Sequence, residues 1–287
     1  MLINKKHILF FLFFVLSINA IKAQLIEKGK YELTGVRFVG NVAIPTQVLQ
    51  TTVTAKESPG WFSQTLQKYT SFGEEAVYFD PALIIPDQEA LRDFYFSYGY
   101  FKAKINSKYE IDTINGTASI YYLIDEGSPA ILKSLKISGL DELPYEFMEN
   151  VQSIAAIDTT LPFSGKLIDE KKNTILTFCR DHGYMLVNTT GAPEVVIDTI
   201  KNRVDVSINF TLGNRYKVSD IKVEKAGDGK DLVEDELVKE VAAIKTDSYY
   251  SFFDIQKAQV RLYRTNLFNS AIITGIEIGR ASCRERV

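Results

Sequence analysis

The sequence predicts an α+β protein built from tandem units, each a strand, two helices and two further strands, with the helices covering one face of a small three-stranded sheet. Three observations carry this prediction: an apolar-x-x-apolar-x-apolar pattern opens three separate segments, a helix ending at a tight turn follows in each, and a β-hairpin recurs at a fixed offset.

The opening pattern places Leu33, Val36 and Phe38 in the first unit, Leu132, Leu135 and Ile137 in the second, and Val218, Ile221 and Val223 in the third; each reads as a first strand. Two helices follow in every copy. In the first unit, Pro45 to Val53 begins one, and Asp87 is expected to cap another whose Leu91, Phe94, Tyr95 and Tyr98 share a face. The second unit offers Pro144 to Ile154 and Leu167 to His182, and the third Glu234 to Ile244 and Asp254 to Thr265. Gly99, Gly183 and Asn266 stand where these second helices must stop, and Gly and Asn adopt the left-handed conformation of a helix end at least cost.

The hairpin is the clearest repeat, since Ile111-Asp112-Thr113-Ile114-Asn115-Gly116 recurs 86 positions later as Ile197-Asp198-Thr199-Ile200-Lys201-Asn202. Asn-Gly is a strong hairpin-turn signal. Beyond the second turn, Val204, Val206, Ile208, Phe210 and Leu212 alternate with polar residues, as in a strand with one buried face. Glu126-Gly127 and Leu212-Gly213 close the two copies, again 86 apart. The third unit lacks its third strand. Units this small bury little surface alone, so stacking on neighbours is expected to matter.

One stretch does not repeat: the long loop of residues 56–86, with Pro59-Gly60-Trp61-Phe62, Tyr69 and Tyr78-Phe79. Loops of this length are functional or disordered as a rule. Trp61, the single Trp, and Phe62 are candidates for docking a partner or the neighbouring unit; the alternative is a short helix from Phe62 to Tyr69 packed on its own domain.

Both ends read differently from the middle. Residues 1–23 carry Lys5 and Lys6, an apolar run from Ile8 to Leu16 and small or polar residues up to Ala23, the pattern of a cleaved secretory leader. Cleavage after Ala23 is expected, with Ala20 as the alternative; the run is shorter than the ~20 residues of a membrane span, which leaves a retained transmembrane helix as the second reading. Residues 278–287, Ile-Gly-Arg-Ala-Ser-Cys-Arg-Glu-Arg-Val, resemble the translation of a short-read sequencing adapter whose next in-frame codon is a stop, so the natural chain is expected to continue past residue 277. The remaining divisions are residues 24–128, 129–214 and 215–277, one for each unit.

Taking three lysines of the leader and three arginines of the tail from 33 basic residues, and Glu285 from 36 acidic ones, leaves 27 against 35 and a net charge of −8. That balance argues against the basic stripe a nucleic-acid partner requires. Catalysis finds little support. His182 sits at a helix end, where an imidazolium benefits from the helix dipole. Cys179 shares the repeat position of Tyr95 and Leu262, which makes it a core residue. The sequence holds no His-Glu-x-x-His, Gly-x-Ser-x-Gly, phosphate loop or paired cysteines at metal spacing, so no enzyme activity and no cofactor is expected.

The leader, the tandem units of near 85 residues, the Tyr98-Gly99-Tyr100-Phe101 turn and the Leu262-Tyr263-Arg264-Thr265-Asn266-Leu267-Phe268 turn together resemble POTRA domains. The pattern is similar to the periplasmic arm of the Omp85 superfamily, outer-membrane assembly factors of BamA and TamA type, over residues 31–278. The resemblance implies a transmembrane β-barrel after the arm, anchoring it in the outer membrane of a Gram-negative cell. It implies as partners unfolded outer-membrane protein precursors, with periplasmic chaperones and accessory lipoproteins as further ones. It also implies that the second strand of each unit is an exposed edge, near residues 101–110, 185–196 and 268–276. Edge strands accept an added strand through unpaired N–H and C=O groups, with little regard to its sequence. Phe101, Ala103, Ile105, Leu186 and Val187 are the candidate client contacts; the alternative is that these side chains are core and the backbone edge alone binds. Two other functions stay open, the arm of a two-partner secretion transporter and a stand-alone periplasmic binding or scaffold protein.

Overall fold

The computed structural model describes residues 29–69, 73–227 and 231–278. The leader and the foreign-looking tail after Ile278 lie outside the described residues. The chain forms two compact bodies divided between Ala130 and Ile131, with the second and third repeats together in the second body.

In the first body, β1 (Glu32–Val39) is followed by α1 (Thr46–Thr52), α2 (Trp61–Tyr69), a 3₁₀ turn (Pro81–Leu83), α3 (Ile84–Ser97), β2 (Lys104–Asp112) and β3 (Thr117–Asp125). The sheet order is β1-β3-β2, with β3 central, parallel to β1 and antiparallel to β2. A parallel pair needs a long crossover, and the helices between β1 and β2 belong to it. Leu33, Val36, Leu49, Leu91, Tyr95, Ile105, Ile120 and Tyr122 form the core between sheet and helices.

The second body repeats this plan. It runs β4 (Ile131–Ser138), α4 (Tyr145–Ala155), α5 (Gly165–Asp181), β5 (Asn188–Thr189), β6 (Glu194–Asp198) and β7 (Arg203–Thr211), with β7 central. Register is reproduced in detail: Leu33 faces Ala118 and Gly35 faces Ser119, skipping Thr34, while Leu132 faces Val204 and Ser134 faces Asp205, skipping Lys133. Each first strand ends on a glycine at positive φ, Gly40 and Gly139, where a Cβ would strike the carbonyl oxygen of Ile124 or Phe210 on the central strand. The hairpin turns are closed by Asp112, whose Oδ1 accepts from the N–H groups of Ile114 (2.9 Å) and Asn115 (3.0 Å), and by Asp198, which accepts from Ile200 (3.0 Å) and Lys201 (2.9 Å). These backbone bonds hold both carboxyls below the usual carboxylate range.

The third repeat departs from expectation. Its helices, α6 (Asp235–Ala242) and α7 (Phe252–Arg264), pack Ala242, Ala258 and Leu262 into a small core against Val238, Val241, Ile244, Phe268, Ala271 and Ile273. The segments expected as its first two strands, around 218–223 and 268–276, contain no strand; a single bridge joins Lys217 to Tyr249. The two complete sheets give the physical reason: first and second strands never pair with each other, only with the third, and no described residues supply a third strand here.

Three further expectations change. Asp87 does not cap α3; it lies inside the first turn, 1% exposed, with its carboxylate turned into the core. The second strand of the first repeat starts at Lys104 rather than Phe101. That of the second repeat is broken into β5 and β6 by residues 190–193, where Gly191 takes φ +78.

Candidate functional site: the open sheet edges

Because β3 and β7 are central, β2 and the β5–β6 pair are terminal strands of their sheets. On β2, side chains alternate as a half-buried strand requires. Ala103 (7% exposed) and Ile105 (3%) face the core, Phe101 is half-buried with an edge-on contact to Phe96, and Lys104, Asn106 and Lys108 project outward. Ala103 and Ile105 are therefore packing residues, and what β2 offers to solvent is its backbone edge. Lys108 Nζ meets Glu110 Oε1 at 3.0 Å and lies 4.6 Å from the Tyr121 ring centroid. The hydrogen bonds from Lys108 and Tyr121 lower the Glu110 carboxyl from its ordinary value.

In the second repeat, Val187 is buried at 1% while Leu186 is half exposed at 50%. Further exposed apolar residues of this edge are Val195, Val196 and Ile197 on β6, which the sequence did not single out. Their signal was present: three consecutive apolar residues beside a hairpin turn, in a strand whose neighbour alternates cleanly.

Most of the long loop is ordered around the first body. Phe79 is fully buried beside Tyr109, and Gln64 of α2 donates to Glu32 Oε1 (2.6 Å) and to the Pro59 carbonyl (2.8 Å). Trp61 and Phe62, in edge-to-face contact at 5.9 Å, remain 78% and 62% exposed at the start of α2, and Tyr69 is 78% exposed at its end.

Cys179 is completely buried, and burial pushes its thiol up to about 11. A thiol so placed stays protonated and unreactive at neutral pH. His182 Nδ1 lies 2.7 Å from the Phe178 carbonyl, and its ring packs between Phe147 and Phe178. It sits in a joint between the second and third repeats. There Arg215 Nε donates to the His182 carbonyl (2.8 Å), and the guanidinium lies 3.7 Å from the centroid of Tyr249 and 5.3 Å from that of Phe147. Phe253 N–H donates to Asp181 (2.7 Å) across the same joint.

A family model described as POTRA, surface antigen variable number repeat, matches residues 31–127. The outer membrane protein assembly factor BamA of Nitratidesulfovibrio vulgaris is 24% identical over 189 residues, covering 63% of this chain and 23% of that protein. BamA of Buchnera aphidicola is 21% identical over 256 residues, covering 88% and 38%. Among solved structures, POTRA domains 3–5 of Haemophilus influenzae BamA superpose with a TM-score of 0.51 at 19% identity, covering 86% of this chain and 91% of that one. The fold is that of tandem POTRA domains. The chain spans less than two fifths of the length of these curated relatives. The family model matches the first repeat, and the second repeats its sheet order with the second strand broken in two.

Proposed function

We propose that this POTRA region is the periplasmic arm of an outer-membrane assembly factor and that it holds unfolded β-barrel precursors as added strands before passing them to a membrane barrel. The observation that carries the reading is β2 of the first domain, a nine-residue terminal strand that, among the described residues, pairs with β3 alone. A free edge of that length pairs with an extended segment through main-chain groups, which suits a receptor for many clients. The similarity to BamA proteins supports the same reading. Phe101 and Leu186 flank the two edges as side-chain contacts, while Ala103, Ile105 and Val187 act by shaping the strands from within. Trp61 and Phe62 form a separate exposed aromatic pair for docking a chaperone or accessory lipoprotein.

The test is site-specific photocrosslinking to a radiolabelled, unfolded outer-membrane β-barrel precursor, with the crosslinker at Asn106 on β2, at Val196 on β6 and at the exposed Arg92 on α3. Strong adducts from the two edges and weak ones from Arg92 are expected. Equal yields from all three positions would count against edge capture.

A further inference from the structure

The tips of the two hairpins carry groups that neither the sheets nor their edges use. Thr113 and Thr199 directly follow the turn-closing Asp112 and Asp198, stand 86 positions apart and are exposed at matching points of the first and second domains. Neither hydroxyl has a hydrogen-bond partner among the described residues. The next residue in each turn is an isoleucine, and Ile114 and Ile200 are both 94% exposed. Single exposed aliphatics are common on protein surfaces, but the same one laid bare at both tips is not a product of packing. Both turns then end at positive φ, on Gly116 (φ 69°) and Asn202 (φ 52°), and a Cβ added at Gly116 would meet no atom, so the space around that tip is open.

The turn accounts for the aspartates and for nothing beyond them. Each Oδ1 accepts the N–H groups two and three residues on, which closes the hairpin. The third Asp-Thr pair of the chain, Asp158-Thr159, shows what such bonding needs: Asp158 Oδ1 accepts the Thr160 N–H (2.8 Å) in another exposed turn, with a threonine where the hairpins place isoleucine. An aspartate turn therefore forms without the aliphatic residue, and the recurrence of Thr-Ile at both tips points to a reader outside the chain. A protruding tip is the part of a folded domain that a modifying enzyme can enclose. The nucleophile offered there is a free hydroxyl. For an exported chain, away from the nucleoside triphosphates of the cytosol, the modification open to that hydroxyl is glycosylation rather than phosphorylation. The triplet of aspartate, threonine and aliphatic residue also resembles an O-glycosylation signal used by some Gram-negative bacteria.

We propose that Thr113 and Thr199 are O-glycosylation sites, each presented by its aspartate-closed turn and read together with the isoleucine that follows. The threonine oxygen attacks the anomeric carbon of a glycan carried on a lipid diphosphate. A carbon–oxygen bond forms to the threonine, the bond from that carbon to the diphosphate oxygen breaks, the lipid diphosphate leaves with the electron pair, and the hydroxyl proton passes to a base of the transferase. Asp112 ends β2 and Asp198 ends β6, so a glycan on the next residue stands beyond the last ladder pair of each hairpin and disturbs neither sheet nor core. This site goes beyond the proposed function and shares with it only the export of the chain.

The experiment uses the full chain purified from the envelope of its native host, digested and read by mass spectrometry. Peptides containing Thr113 and Thr199 are expected to carry whole sugar residues that alkaline β-elimination removes, leaving dehydrated threonine, while Thr54, exposed but preceded by Val53, stays bare. Thr113→Val and Thr199→Val should each abolish the sugar at its own tip and leave the other, and Thr113→Ser should retain it. Ile114→Lys should lower occupancy at Thr113 several-fold, with Thr199 of the same chain as the internal standard. Each variant alters only an exposed tip, and circular dichroism reports whether it is folded. Bare Thr113 and Thr199, equal modification of Thr54, a mass shift that phosphatase removes, or unchanged occupancy in folded Ile114→Lys would each overturn the proposal. Recovery of the chain from the cytosol would remove the export that both readings need. Bare threonines on chain recovered from the envelope sink the glycosylation alone, and edge capture stands or falls on its crosslinks.

Discussion

The two complete domains anchor the same helix with opposite charges. In the first, Asp87 of α3 accepts from the N–H groups of Thr54 (2.7 Å) and Ala55 (3.0 Å), just after α1, and from the Tyr122 hydroxyl (2.8 Å). Glu126 does the same before α1, accepting from Ala43 (2.8 Å), Ile44 (3.4 Å) and the Tyr95 hydroxyl (2.8 Å). Two buried carboxylates therefore bracket α1. Counting back from the turn glycines Gly99 and Gly183, the partner of Asp87 in the second domain is Lys171, whose Nζ donates to the carbonyls of Ile154 (2.7 Å) and Ala156 (2.5 Å) at the end of α4. Tyr95, Tyr122 and Glu126 become Cys179, Ile208 and Leu212. The fold demands that the chain leaving the first helix be tied to the second helix; whether N–H or C=O groups face inward decides the sign of the tie. After the shorter α1, extended backbone presents N–H groups, whereas the end of α4 presents carbonyls, which a cation satisfies.

The largest test of this comparison is Asp87→Ala. It leaves two N–H groups and a buried hydroxyl without their acceptor, and a loss of about 3–5 kcal/mol in the first body is expected from urea unfolding followed by amide exchange. Lys171→Met keeps the stem packing and drops the charge; because Lys171 is only half-buried and water can reach its carbonyls, a smaller loss of about 1–2 kcal/mol is expected in the second body. Equal losses would mean that the two ties are not distinguished by burial.

Alkaline pH sharpens the contrast least in energy and most in position. The Cys179 thiol is raised from 9.0 to about 11, so the folded state holds its proton more tightly than the unfolded one. Its contribution is complete below pH 9 and is lost as pH rises from 9 towards 11, which predicts about 1 kcal/mol of destabilisation of the second body between pH 8 and 10. In the first body, burial and then the neighbouring carboxylates raise Tyr95 and Tyr122 from 10.0, so its loss starts about one pH unit later. Stability curves against pH for the chain and for Cys179→Ala check both; a Cys179→Ala curve that still falls from pH 9 would remove the thiol from the account.

The repeat was legible because it is written in local chemistry. Apolar spacing marked the first strands, the turn residues Gly99, Gly183 and Asn266 all take positive φ as their helix-end position requires, and the hairpins sit where Asp112 and Asp198 close them. What escaped depends on partners distant in sequence. Asp87 looks like a cap because it stands near a helix start, and its real partners lie 32 to 35 residues away. Ala103, Ile105 and Val187 read as contacts because the expected edge strands contain them, yet Ala103 and Val187 fall just before β2 and β5, and all three side chains turn into the core.

The central position of the third strand also orders events in time. A domain made from its N-terminus completes both helices and two strand-forming segments before the one segment that can pair with either of them. Until Thr117–Asp125 or Arg203–Thr211 is available, neither neighbour has a ladder to join, so each sheet closes late and in a single step. Each domain thus passes through a stage in which its own first and second strands are unpaired extended segments.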